Sequence, residues 1–555
     1  MPKKHSFIFG LPLLACLFNN AAEETAWTLE QLFDREKVHT FQLEIEPDDW
    51  DTIRYQRRDF ATALSEDRKQ GERPSPYTKV EAQLTIDDFN WGTVSVRKKG
   101  FLGSNDSDRP SIKVDLNDYQ PGRSIERLRQ LTLNNNKQDR SLMSQFMGYE
   151  LYHRAGLPAP RIAHAEVIVN GQSLGVYSHV ETPKESFLDH LYGESSGSLY
   201  EGTVTDFWPD WINSFEAKTK ETSESREPIR RLIEALEAPK KQRSKRLEEV
   251  IDLEGFLKFW ALESLIGFWD GYAANKNNFF LYQPASRSKM QFIPWGLDSA
   301  FTPPQLRPAR RLNSVHAGGR VANLLYQDPL MRDRYRTTML ALLDQLWDEN
   351  QLAEEMNEAF ARIQDKLHPS QKRAKHFLKE TLEFVHGRRK LMLDDLRDSP
   401  PEPIEKLERP FYFGVRGHLE ASFSTIWENQ PSVNPLGKGN VSVDLELGGM
   451  PIELKTIGVS ATPGAYPGAK GKPTITIAMQ QANPARLFIL YASFDPDDGE
   501  TQGTLARDVR GLFFSGVQDI RIPVGQLRLK RFSQKKGEMI KGSLRVALRD
   551  SFPGQ

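Results

Sequence analysis

Cysteine is nearly absent: Cys16 is the only one in 555 residues. A single cysteine can form no intramolecular disulfide and no Cys-based zinc cage, and no HExxH pair occurs to build one from histidine. An excess of charge of either sign is also lacking. Lys and Arg number 74 against 75 Asp and Glu, and without a polybasic tract the chain is not expected to bind nucleic acid. Beyond the N-terminal segment no apolar run has the length of a membrane helix, and no internal repeat is found. The histidines, His153 among them, show no ligand spacing. The acidic turn DPDDGE at 495–500 lacks the EF-hand pattern and reads as a hairpin turn. The length exceeds one ordinary core, so more than one domain is expected.

What is present begins with a leader. Lys3 and Lys4 precede the apolar run SFIFGLPLLACLF, and polar NNAAEET follows. This pattern predicts an export signal over residues 1–22. Two readings stay open. In LLAC, Cys16 resembles the lipidated cysteine of a bacterial lipobox; alternatively, cleavage falls near Ala21 or Ala22. Export without a disulfide leaves stability to packing alone.

Residues 26–397 mix alternating strand patterns with helical ones. TFQLEIE, TKVEAQLTID, TVSVRKKG, PSIKVDL and RQLTLNNN alternate apolar and polar residues as half-buried strands do. DRSLMSQFMGYELYHRAG has helical spacing, with Gly156 suited to its end. Asn170–Gly171 fits a tight hairpin turn. The period is helical again over Glu227–Trp269 and Ala322–Arg397. Residues 398–410 are Pro-rich and charged and read as a linker. From 411 to 555, short strands separated by Gly, Pro and Asp turns predict a β-sandwich-like domain. The fold class expected is therefore α+β.

The most informative stretch is FWDGYAANKNNFFLYQ, from Phe268 to Gln283, followed by MQFIPWGLDSAF, from Met290 to Phe301. FFLYQ and MQFIP flank the polar turn segment PASRSK and predict an antiparallel hairpin. The residue entering its first strand and the residue leaving its second share the open end, so Asp270 and Asp298 are expected to face one cleft. Asn275 lies five residues after Asp270. Acid, asparagine, two strands, acid is the order used in the phosphoryl-transfer site of protein kinases. That chemistry needs one carboxylate for the acceptor hydroxyl and hard oxygen ligands for Mg²⁺. Strand SIKVDL places Ile112, Val114 and Leu116 on one face and Lys113 on the other, so Lys113 either enters the cleft or is a solvated strand lysine. Arg97 and Lys99 share a face and are candidate phosphate contacts. Glu181 either pairs with the lysine or is a strand-end charge. Asp139 is expected to cap the following helix.

Several segments carry a more specific signal. VRKKGFLGSN…SIKVDL, LTLNNNKQDRSLMSQFMGYELYHRAGLPAPRIAHAEVIVNGQSLGVYSHVE, DGYAANKNNFFLY, FIPWGLDSAF and HGRRKLMLDDL run in this order through most of residues 90 to 397. Together they resemble the CotH kinases. The resemblance implies an atypical protein-kinase-like fold whose C-terminal part is helical, with ATP and Mg²⁺ or Mn²⁺ as cofactors. It implies transfer of the γ-phosphate to Ser or Thr. With the leader, the expected acceptor is an exported or surface protein, in the cell envelope or outside the cell, and membrane attachment is expected only through a lipid on Cys16. Asp270 matches the family's catalytic acid and Asp298 the metal-binding Asp of its PWDxD element. Asn278 matches the family's asparagine before the strand, so Asn275 and Asn278 are both candidate metal ligands. Lys113, Arg97 and Glu181 are the candidate nucleotide contacts. Gly296 stands where many members carry the first Asp of that element. The alternative reading follows from it: a catalytically weak or inactive kinase-like surface binding protein.

Overall fold

The computed structural model describes residues 27–552 apart from 72–74, 102, 220–224, 303–313, 397–405, 432–434, 465–468, 470, 482, 495–504 and 515–519. The export signal with Cys16, most of the Pro-rich segment and the acidic turn at 495–500 lie outside the described residues.

Seven strands close into a barrel: β1 (His39–Glu44), β2 (Val80–Ile86), β3 (Phe89–Lys98), β4 (Ile112–Asp115), β5 (Gln130–Asn134), β6 (Ile162–Val169) and β7 (Gln172–Glu181). Their order is β1-β2-β3-β4-β5-β7-β6, closed by a parallel β1–β6 pair. Alternation in the sequence decides what fills the barrel. Val94, Val96, Ile112, Val114, Leu131 and Leu133 point inward and are fully buried, each contributing roughly 1.5–3 kcal/mol by leaving water. The residues between them, Arg97 and Lys113 among them, are forced onto the outer face. The β6–β7 turn is the expected Asn170–Gly171 pair, both left-handed at φ 50 and 75. The Asn170 amide also bonds the backbone of Ile45 in both directions at 2.8 Å, fastening the turn to the end of β1.

A second, four-stranded sheet carries the expected hairpin. β10 (Phe279–Pro284) pairs antiparallel with β11 (Gln291–Pro294), in register from Phe279–Pro294 to Tyr282–Gln291. β8 (Gly197–Gly202) and β9 (Glu216–Ala217) extend it in the order β11-β10-β8-β9. The helices Leu253–Leu265, Arg320–Tyr326, Pro329–Leu346, Glu349–Ile363 and Ala374–Leu396 pack around this sheet over a core that includes Trp260, Tyr272, Phe292 and Trp347. Among the described residues no helix is long and apolar enough to cross a membrane.

The helix Ser144–Arg154 joins the two parts. Met143 holds the cap position and makes no side-chain cap bond; Asp139 serves the first turn from further upstream, its Oδ2 accepting the Gln145 N–H at 3.1 Å. Gly148 on this helix lets Leu297 approach, since a Cβ there would lie 2.9 Å from Leu297 Cδ1. Tyr149 accepts the Gly296 N–H at 3.0 Å. One helix therefore fixes the turn that carries Asp298.

After Phe411 the strands form a separate ten-stranded sheet, β12 (Tyr412–Ile426) to β21 (Met539–Phe552). It encloses its own apolar core, with Leu419, Ile477, Phe488 and Leu544 among the buried side chains. The sheet is continuous, because the strand Arg510–Phe514 pairs with both of its neighbours. The two layers expected of a sandwich are thus joined along one edge. The first strand of this sheet meets the barrel side at Leu64, whose carbonyl accepts the Phe413 N–H at 2.8 Å. Phe60 packs there against Phe101, Phe411 and Phe413.

Candidate functional site

A cleft of about 1570 Å³ lies between the outer face of the barrel and the open end of the β10–β11 hairpin. Asp270, Asp298, Asn275, Asn278, Lys113, Lys99 and Arg97 all line it.

The Asp270 loop is built from beneath. The helix Leu253–Leu265 ends, Gly267 turns the chain at φ 64, and a short helix Tyr272–Asn275 follows. Glu263 is fully buried below it and accepts the N–H groups of Tyr272 and Ala273 at 2.9 and 2.7 Å. Gly271 is required here, because a Cβ would sit 2.4 Å from Glu263 Oε1. Burial pushes the Glu263 carboxyl up to about 8 despite these two donors.

Three asparagine amides then converge on Asp270. Asn275 and Asn277 donate to Oδ1 at 2.6 and 3.1 Å, and Asn278 donates to Oδ2 at 3.0 Å. Burial raises the Asp270 pKa, and the three donors oppose that rise. Because each amide spends its nitrogen on Asp270, each presents an oxygen elsewhere. Asn277 Oδ1 accepts the Val204 N–H at 3.1 Å. Asn278 Oδ1 lies beside Gly296, where a Cβ would come within 2.9 Å of it.

Asp298 sits in the turn Leu297–Ser299, entered through Gly296 at φ 55. Burial first, then the charges of Asp270 and Asp139, push its carboxyl up to about 7, and Lys99 acts against them. The left-handed backbone and the nearness of Asn278 explain the glycine at 296: an Asp in this conformation would be strained and would displace the asparagine.

The facing wall is cationic. Arg97 and Lys113 are partners across β3 and β4. Burial, together with Lys184, Arg97 and Lys99, drives the Lys113 ammonium well below its ordinary pKa. Lys99 lies 5.8 Å from the Trp295 ring. Burial lowers its pKa to about 8, opposed by Asp298 and Glu201.

One expectation is corrected. Glu181 does not pair with Lys113. It is buried at the end of β7, where Arg161 grips both its oxygens at 2.9 Å, and it is absent from the cleft lining. The next residue, Thr182, points the other way, lines the cleft and bonds Thr132 at 2.8 Å. The carboxylate that does face the lysines is Glu201 on β8, held by Lys218 at 2.6 Å. Sequence reasoning missed it, although GSLYEG alternates as a strand does, because its partner Phe280 is remote in the chain. Glu263 was missed as well, since nothing in a helical pattern marks a carboxylate aimed at a later loop.

Residues 96–388, more than half of the chain, match the family model described as CotH kinase protein. The chain belongs to the CotH kinase family. It is similar to the inner spore coat protein H of Bacillus subtilis (strain 168), with 22% identity over 213 residues, 36% of this chain and 58% of that protein. It is also similar to the invasin CotH2 of Rhizopus delemar, with 22% identity over 249 residues and 41% of each chain. The chain thus spans about half the length of the curated relatives it matches. The crystal structure of the proinflammatory kinase CtkA of Helicobacter pylori is matched at 10% identity over 58% of this chain and 94% of that one, with a TM-score of 0.24. In this CotH kinase chain Asp270 and Asp298 both line one cleft.

Proposed function

We propose that the chain is an exported protein kinase that transfers the ATP γ-phosphate to Ser or Thr of a surface or envelope protein. The observation that carries this reading is the convergence of Asp270 and Asp298 in one cleft opposite Lys99, Lys113 and Arg97. The donor set fits Mg²⁺ or Mn²⁺ with a nucleotide. Among the described residues no group of three or more His, Cys, Asp or Glu side chains forms a metal cage. Mg²⁺ is ordinarily held by one or two carboxylates plus phosphate oxygens, so a cage is not needed. Asp298, whose charge is costly without a cation, and Asn278, whose oxygen lies on the Asp298 side, are the ligands; Asn275 is the alternative amide.

When bound, Mg²⁺–ATP supplies the transferable phosphoryl group and neutralises charge in the cleft. The protein's own residues do the rest. Lys99, Lys113 and Arg97 bind the anionic phosphates. The asparagine donors fix both oxygens of Asp270, which orients an acceptor hydroxyl and accepts its proton at a carboxylate oxygen. Export accords with the spore-coat and invasin names of the relatives and with the leader, processed either at Cys16 as a lipoprotein or near Ala21 or Ala22. We further propose two units, 26–397 and 411–555, joined by the Pro-rich segment 398–410, which limited proteolysis of the purified protein should cut first.

A second reading is favoured by Gly296, which removes one acid from the metal side: a kinase-shaped surface protein that binds without transferring. Incubation with γ-labelled ATP and Mg²⁺ or Mn²⁺, comparing wild type with Asp270→Ala and Asp298→Ala, separates the two. Label on the protein or on added proteins, lost in both variants, supports the kinase. Equal labelling in all three overturns it, and no labelling of wild type leaves the binding protein.

A further inference from the structure

LTLNNN contains three consecutive asparagines, 134–136, at the end of β5; the first and third meet at Gln145, and the second ties down a loop. Lys99 donates to Asn134 Oδ1. Asn134 Nδ2 donates to Gln145 Oε1 at 2.9 Å. Gln145 Nε2 donates to Asn136 Oδ1 at 3.2 Å, and Ser178 donates to the same oxygen at 2.8 Å. Asn135 ties down the loop after β3, donating to the carbonyls of Ser104 and Arg109 at 3.0 and 2.6 Å.

The relay has one consistent direction. A reversed Asn134 amide would set its NH₂ against the ammonium and its oxygen against Gln145 Oε1, two repulsions in place of two bonds. Gln145 is 1% exposed, and its backbone N–H is itself held by Asp139. It stands in the first turn of the helix that also fixes the Asp298 turn through Gly148 and Tyr149. The lysine and the acid across the cleft therefore share one scaffold.

In protein kinases the phosphate-binding lysine is paired with a helix glutamate. Here the helix presents an amide at one remove. An amide oxygen orients an ammonium without cancelling its charge, whereas a carboxylate would both raise the lysine pKa and compete with an anionic ligand. We propose that Asn134, locked by Gln145, is the positioning residue for Lys99, and that this neutral relay replaces a carboxylate partner so that the charge of Lys99 is kept for an anion in the cleft. That the anion is a nucleoside triphosphate rests on the function proposed above; the positioning of Lys99 does not.

The test uses the full chain, first with no ligand and then with ATP and Mg²⁺. Trace acylation with acetic anhydride across a pH series, read by peptide mass spectrometry, gives the titration midpoint of Lys99, with exposed Lys379 as the internal reference. The charged groups facing Lys99 are Asp298, Glu201 and Arg97, with Lys113 alongside, and they are the same in every variant. Asn134→Asp should raise the midpoint by about one unit or more, and Asn134→Ala should not raise it. Both should weaken ATP binding in the presence of Mg²⁺ by about tenfold or more. Asn134→Asp with the wild-type midpoint overturns the proposal. If Asn134→Asp does not fold, Asn134→Ala decides: release of Lys99 should speed its acylation several-fold at fixed pH, and an unchanged rate overturns the proposal. If the midpoints separate while ATP binds neither wild type nor variant, the positioning stands and the nucleotide reading falls.

Discussion

Two acids meet in the cleft, but the loops that carry them are built in opposite ways. Asp270 is saturated: three asparagine amides reach its oxygens, and a buried Glu263 anchors the loop from below. Asp298 sits in a three-residue turn beside Asp270 and Asp139, and the cation acting on it is Lys99. The first arrangement fixes an orientation, which suits a group that must meet a hydroxyl in one direction. The second leaves charge only partly compensated, which suits a group completed by a metal ion. Burial raises both pKa values, so the contrast lies in the partners and not in depth.

The largest effect is expected at the saturated acid. Asp270→Asn should lower transfer by about a hundredfold or more, the usual weight of a general base, while nucleotide affinity stays within about threefold of wild type, well under 1 kcal/mol. Single-turnover transfer and calorimetry measure the two numbers. A large loss of affinity would make Asp270 a ligand holder and erase the contrast.

Next comes the turn of Asp298. Gly296→Asp introduces the acid that the resemblance in sequence leads one to expect there but places it in left-handed backbone, at a cost of roughly 1–2 kcal/mol, with Asn278 in its way. Its melting temperature should fall by several degrees. A variant as stable as wild type with tighter Mn²⁺ binding would show that the turn tolerates a second acid.

The anchor below Asp270 gives a pH signature. The Glu263 pKa is raised to about 8 in the folded chain, so between the ordinary carboxylate range and pH 8 the folded state holds a proton that the unfolded state has lost. Stability from this group is therefore present at low pH and declines as pH rises to about 8, by at most about 1.4 kcal/mol per unit. Glu263→Gln should remove that slope, gaining on wild type at pH 9 and not at pH 4. Denaturant midpoints at pH 4, 7 and 9 check it; parallel curves would mean that Glu263 is already charged.

The smallest effect on the cleft is expected from Glu181→Gln. It breaks the pair with Arg161 and should lower stability, yet ATP affinity should not change. A weakened affinity would return Glu181 to the site.

Much of this was legible in the chain. The β10–β11 hairpin and the Asn170–Gly171 turn follow from local alternation and turn chemistry. The outward face of Lys113 follows from the parity of strand SIKVDL, and that of Lys99 from its sharing a face with Arg97. The order of acid, asparagine, hairpin and acid placed Asp270 and Asp298 in one cleft. Long-range partners were not legible. Glu181 ends a strand next to Thr182, and which of the two enters the cleft depends on Arg161 waiting just before the neighbouring strand β6. Glu201 reaches the lysines only because β8 pairs with β10 across a long sequence separation. The continuity of the C-terminal sheet depends in the same way on pairings that no local pattern encodes.

The division of work between the two acids is tested most directly by Mn²⁺ binding in the presence of ATP, followed by electron paramagnetic resonance in wild type, Asp270→Asn and Asp298→Asn. The expected result is that Asp298→Asn loses the bound Mn²⁺ signal while Asp270→Asn keeps it. Retention of the signal in Asp298→Asn, or its equal loss in both variants, would contradict the account.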